Sequence, residues 1–151
     1  MNLRPLVLSL LLAPALVAQS LSKLPTWARE PAMAALDEPA PEADAWVLLD
    51  RTEFAYRGDG EIRKRHVRVV RVLTERGLDQ GLFVAHGLGW KTSVLKRLKG
   101  WNLRPDGELE TLERDYTVTV AAGNRRADTL TVGQLPRVAK GILSLDATVI
   151  L

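Results

Sequence analysis

The run Trp46-Val47-Leu48-Leu49-Asp50-Arg51-Thr52-Glu53-Phe54-Ala55-Tyr56, the turn Arg57-Gly58-Asp59-Gly60 and the return run from Glu61 to Thr74 decide the fold. In the first run Trp46, Leu48, Phe54 and Tyr56 share one parity, and Arg51 and Glu53 share the other. Such alternation is that of a half-buried strand. Asp59-Gly60 supplies the positive φ angles of a tight hairpin turn. In the return run Val67 and Val69 lie on one parity and Val70 and Val72 on the other, so the strand enters the core as it proceeds. This hairpin is taken as the nucleus of a sheet.

Toward the N-terminus, Met1-Asn2-Leu3-Arg4 is a short positive start, followed by an uncharged apolar run from Leu6 to Ala18. That run is shorter than the roughly 20 residues a membrane-spanning helix needs. Small residues at Ala18 and Ser20 form an Ala-x-Ser site for signal peptidase, so residues 1–20 read as a cleaved secretory signal, cut after Ser20. No cysteine follows the run to carry a lipid. Removing 20 of the 151 residues leaves 131, enough for one core. Residues 21–45 form a Pro/Ala-rich leader with Pro25, Pro31, Pro39 and Pro41, in which Ala32 to Leu36 suit one or two helical turns and the prolines argue against a long helix. Trp27 within it anchors the leader onto the domain that follows.

Residues 46–151 read as one β-rich domain. Leu82 to His86 suits a short strand, and the segment from Thr92 to Leu103 reads as a strand because Gly100 disfavours a helix and Arg104-Pro105-Asp106-Gly107 is a strong hairpin turn. Short strands follow at Glu108 to Leu112, Tyr116 to Val120 and Asp128 to Val132. From Ile142 to Leu151, Leu143, Leu145, Ala147, Val149 and Leu151 alternate with Ser144, Asp146 and Thr148. Turns at this frequency predict a mostly β fold, an antiparallel β-sandwich-like or strongly curved sheet. The last strand is expected to present an open edge to a partner.

The residue inventory excludes more chemistry than it offers. The chain has no cysteine, so thiolate catalysis is excluded and the fold uses no disulfide. His66 and His86 stand on separate elements, short of the three protein ligands of a catalytic zinc, and no Gly-x-Ser-x-Gly elbow is present. Glu108 and Glu110 share a strand face but follow a turn, where solvated charge is the usual state. No catalytic, metal or cofactor-binding residue is assigned.

Charge singles out Arg63, Lys64, Arg65, Arg68 and Arg71, joined by Lys96, Arg97 and Lys99. Parity splits the cluster, with Arg63, Arg65 and Arg71 on one face and Lys64 and Arg68 on the other. With 20 basic against 18 acidic residues after residue 20, the balance is no nucleic-acid signature. A solvated face or cross-strand pairing with Glu53 and its neighbours is the expected state of these side chains, with contact to an anionic surface or an acidic partner the alternative.

Several stretches together resemble the uncharacterised domain that precedes transglutaminase-like domains in bacterial exported proteins. They are Leu24-Pro25-Thr26-Trp27, Asp44-Ala45-Trp46-Val47-Leu48-Leu49-Asp50, Asp59-Gly60, Arg68 to Gly77, Arg104-Pro105-Asp106-Gly107 and Leu135-Pro136-Arg137-Val138-Ala139-Lys140-Gly141, in the family's order. The resemblance implies an exported β-sandwich-like accessory domain, periplasmic or extracellular, whose neighbour carries a papain-type Cys-His-Asp site. That site has no counterpart here. The expected function is non-catalytic docking to a protein partner or to a C-terminal transglutaminase-like region, through Leu143, Leu145 and Val149 of the last strand. The alternatives are a carbohydrate- or peptide-binding envelope module using Trp90 and Trp101, and a truncated remnant without a role of its own.

Overall fold

The computed structural model describes residues 12–38, 40–81, 83–85, 94–112, 117–122, 128–133 and 140–150. Strands account for 48% of them, which makes the fold mostly β and antiparallel, as the turn frequency implies. The hairpin forms as read, with β1 (Ala45–Tyr56) paired to β2 (Ile62–Val72). Its turn closes by Arg57 N–H to Glu61 O (2.9 Å) and Gly60 N–H to Arg57 O (3.0 Å), while Asp59 Oδ1 accepts from Glu61 N–H (3.0 Å). Gly60 sits at φ +87° with open space around it, so Gly60→Ala meets backbone strain without a clash. We expect that variant to lose about 1 kcal/mol in urea denaturation, with an unchanged m-value.

The strict parity of β1 does not persist. A bulge between Val47 and Leu49 shifts the register, so Trp46 opposite Arg71 and Phe54 opposite Lys64 stand on opposite faces. One extra residue reverses the side on which every later residue points. Phe54 and Tyr56 are exposed, as is every residue from Asp50 to Tyr56 on either face, and only the half of β1 near Trp46 and Leu49 is partly buried.

Further along, β3 (Phe83–Ala85), β6 (Thr117–Ala122) and β7 (Asp128–Gly133) make a three-stranded sheet in the order β3-β7-β6. The segment from Thr92 to Leu103 is a strand as expected, β4 (Val94–Leu103), joined to β5 (Leu109–Leu112) by the Arg104-Pro105-Asp106-Gly107 turn. There Gly107 N–H bonds Arg104 O (3.0 Å), and Gly107 has φ +87°.

The last strand, β8 (Gly141–Ile150), corrects the expectation of an open edge. The main sheet runs β1-β2-β8-β4-β5, so β8 lies at its centre, bonded to β2 from Val72↔Gly141 to Arg63↔Ile150 and to β4 from Leu103↔Ile142 to Val94↔Ile150. Its backbone groups are taken on both sides, and it is β1 and β5 that border the sheet. Burial follows: Leu143, Leu145, Ala147 and Val149 are buried on one face, and Ser144 and Asp146 on the other. A central strand covered on both faces does not keep its polar alternation in solvent.

The Pro/Ala-rich segment is more regular than its prolines suggest. Helix α1 (Leu12–Lys23) is followed by α2 (Thr26–Asp37), twelve residues long with Pro31 inside. An internal proline costs an isolated helix about 3 kcal/mol. Tertiary packing offsets it, because Ala28, Ala32 and Ala35 form one face that lets α2 lie close on the sheet, with Ala28 and Ala32 against Val69, Leu103 and Ile142. Trp27 anchors the segment as read, meeting Trp101 edge to face at 6.1 Å. The other face of the sheet buries Val70, Val72, Leu98, Leu143, Leu145 and Ala147, with Ala45 and Leu78 against them.

The start of β1 is tied to the end of β2 by one carbonyl. Asp44 O accepts from Leu73 N–H (3.0 Å) and Thr74 N–H (3.1 Å), and a Cβ on Gly77 would stand 2.0 Å from that oxygen. Only glycine fits beside it.

Candidate functional site

The basic cluster resolves into two separate arrangements, one on each face of the sheet. On the helix-bearing face, beyond the end of the helices, Asp146 of β8 faces Val67 of β2 and Lys99 of β4. Arg65 of β2 and Arg97 of β4 both stand opposite Thr148, one step along, and both reach back to the Asp146 carboxylate. Arg65 forms a bidentate fork, Nε to Oδ1 at 3.0 Å and a terminal N–H to Oδ2 at 2.9 Å, and Arg97 Nε lies 3.8 Å from Oδ2. Asp146 is only 1% exposed, roofed by the arginines it binds. The hydrogen bond to Asp146, aided by the charges of Asp146 and Glu53, holds the Arg65 guanidinium above its ordinary pKa against the opposing effect of burial.

Such a fork is a structural lock. Both carboxylate oxygens accept from the Arg65 guanidinium, which fixes the carboxylate in place. Sequence reading expected a solvated face or cross-strand pairing with Glu53 and its neighbours, which Arg68 with Asp50 meets, and missed Asp146 as the partner of Arg65. Glu53 does stand opposite Arg65 but ion-pairs with Arg51 at 3.0 Å. The signal that could have found the lock is Asp146 itself, an acid in the middle of the alternating apolar run from Leu143 to Leu151.

On the opposite face the hairpin carries a solvated network. Asp50 accepts from His66 Nε2 (2.7 Å) and lies 3.3 Å from Arg68 Nε, and Arg68 reaches Gln80 in the 3-10 helix Glu75–Gly81. Beyond this network Lys64 stands 6.0 Å above the Phe54 ring, and Tyr56 ends the strand. Phe54 is 53% and Tyr56 77% exposed, on a strand that borders the sheet. Among the described residues, two exposed aromatics beside backbone groups at a sheet border are the features best suited to receive a partner.

The predicted contact residues fall elsewhere. Leu143, Leu145 and Val149 are buried between the neighbouring strands of β8, and Trp101 packs on Trp27. Trp90 and His86 lie outside the described residues. Glu108 and Glu110 both pair with Arg104, at 2.6 and 3.3 Å, a turn clamp rather than an acid–base pair. A cleft of 220 Å³ opens where the helices meet the end of the sheet, lined by Val17, Leu36, Arg71, Leu103, Arg104 and Ile142. Its two arginines are already committed, Arg71 to Ala35 O and Arg104 to the two glutamates. Among the described residues no group of three or more His, Asp or Glu side chains is placed to hold a metal ion, and no helix is long and apolar enough to cross a membrane.

No family model and no curated protein matches the sequence. Among solved structures, the fold is similar to part of a "putative protease" from Parabacteroides distasonis ATCC 8503, with a TM-score of 0.58 at 14% identity. The match covers 71% of this chain and 23% of that protein, so the chain corresponds to less than a quarter of its length.

Proposed function

We propose that the chain is a non-catalytic, exported accessory domain that works beside a transglutaminase-like domain, in the periplasm or outside a bacterial cell. The observation that carries this reading is the form of the structural match: the fold occurs as a minor part of a much longer protein described as a protease. The sequence resemblance implies a papain-type Cys-His-Asp site for the neighbouring domain, and this chain has no cysteine to supply one itself.

Docking through β8 is replaced by docking through the border strand β1. Strand addition provides affinity from backbone hydrogen bonds, and Phe54 and Tyr56 provide the side-chain contacts that select a partner. Neither aromatic supports the core, so their replacement tests binding without testing folding.

The tagged chain, co-expressed for export with a transglutaminase-like catalytic domain, is expected to retain that domain on affinity capture. Phe54→Ser/Tyr56→Ser should cut capture at least about tenfold while leaving the melting temperature within a degree or two. Equal capture by the native chain and the double variant would remove β1 as the docking strand, and no capture by either would remove the accessory-domain reading.

A further inference from the structure

The exported chain as first read begins after Ser20, yet residues 16–21 are built into the domain. Ser20 is only 8% exposed, and its hydroxyl donates to Gly107 O at 2.6 Å, in the turn between β4 and β5. Leu21 is buried and Val17 packs against the same cluster as Trp101, Leu103 and Leu109. The space a Cβ would take at Gly107 is bounded by Leu16 Cβ and Val17 N, each 3.1 Å away. The far end of α1 is held as well: Arg29 donates from Nε to Leu21 O (3.2 Å) and from a terminal nitrogen to Ser22 O (2.7 Å) and Leu24 O (3.0 Å).

A cut after Ser20 would undo each of these contacts. Gly107 O would lose its buried donor, and the wall of Trp101, Leu103 and Leu109 would lose Val17. Leu21–Lys23 alone cannot close even one helical turn, so the carbonyls Arg29 binds would no longer be presented together.

Upstream of the docked residues the sequence offers another site. Leu6 to Leu12 is an uncharged apolar run of the length a signal core requires, and Ala13-Pro14-Ala15 directly follows it with small residues in the two positions that signal peptidase reads. We propose that the precursor is cut after Ala15, so that the exported chain begins at Leu16 and keeps α1 from that point as the helix that closes the β4–β5 end of the sheet. This rests on the export reading above and deepens it.

The full chain with a C-terminal tag, expressed in a Gram-negative host and recovered from the periplasm, is read by N-terminal sequencing and intact mass. The expected N-terminus is Leu16-Val17-Ala18-Gln19-Ser20. A start at Gln19 or at Leu21 overturns the proposal while leaving export standing, and an unprocessed chain confined to the cytoplasm overturns both. Two variants sharpen the result. Ala15→Leu should abolish the Leu16 terminus, and unchanged processing would refute the proposal. Ala18→Leu, at an exposed position, should leave the Leu16 terminus intact, and its disappearance would refute the proposal equally.

Discussion

Leu143→Ala should lower the stability of the chain by about 3–4 kcal/mol, which in a domain of this size is a fall of roughly 10 °C in melting temperature. Leu143 is 1% exposed and lies in the central strand, opposite Val70 on one side and Asn102 on the other. Its side chain is part of the cluster with Val70, Val72, Leu98 and Leu145. Because β8 is bonded to both neighbours along its length, its backbone cannot subside into the space a deleted isobutyl group leaves, so the cavity persists. Urea denaturation checks this as a lower midpoint at constant m. A loss under about 1 kcal/mol would mean that Leu143 is solvated, the state expected of an open final strand and incompatible with β8 at the centre.

The second large effect is expected at the arginine fork. Arg65→Ala removes both hydrogen bonds of the fork from the Asp146 carboxylate, which is 1% exposed, and leaves Arg97 at 3.8 Å. Breaking a buried pair costs about 3–5 kcal/mol, and since the Arg65 side chain is 36% exposed the expected loss is nearer about 2–3 kcal/mol. Arg65→Ala/Asp146→Ala should recover at least about 1 kcal/mol of that, because no charge is then left buried alone. Additive losses in the double-mutant cycle would show that the fork contributes nothing beyond its two side chains separately.

Linkage gives the fork a pH signature of definite sign. A cation whose folded pKa is raised contributes stability that is complete below its unfolded pKa and is lost only as pH rises through the folded value. For Arg65 both lie far above the neutral range, the folded one the higher, so its contribution should stay flat from neutral pH to about pH 10.

Local chemistry made part of this fold legible. Asp59-Gly60 and Asp106-Gly107 place glycine where the backbone turns left-handed, and both hairpins close there. Gly100 and the following turn identified β4 as a strand, and Trp27 was recognisable as an anchor because a large indole in a bland segment needs a surface to cover. Parity failed where the chain adds a residue, at the bulge between Val47 and Leu49. Helix α2 was under-read because the cost of Pro31 is local, whereas the alanine face that offsets it acts only against the sheet.

The candidate site was less legible than the fold. The arginines on β2 were visible as a cluster and their split by parity holds across the register, yet the acid that organises Arg65 lies 81 residues away. The exposed aromatics of β1 carry the same alternation as core residues, so only their position at the border of the sheet distinguishes them.

By itself the sequence determined the strands, their tight turns, the antiparallel class and the absence of any thiol, because these depend on neighbours two to four residues apart and on which atoms the chain possesses. Only the tertiary structure decided that β8 is enclosed rather than open, that Asp146 is locked by Arg65, and that residues 16–21 complete the domain. Periodicity states which face of a strand is apolar and is silent on which strands lie beside it. That choice rests on contacts between distant segments, whose energies are summed over the whole sheet.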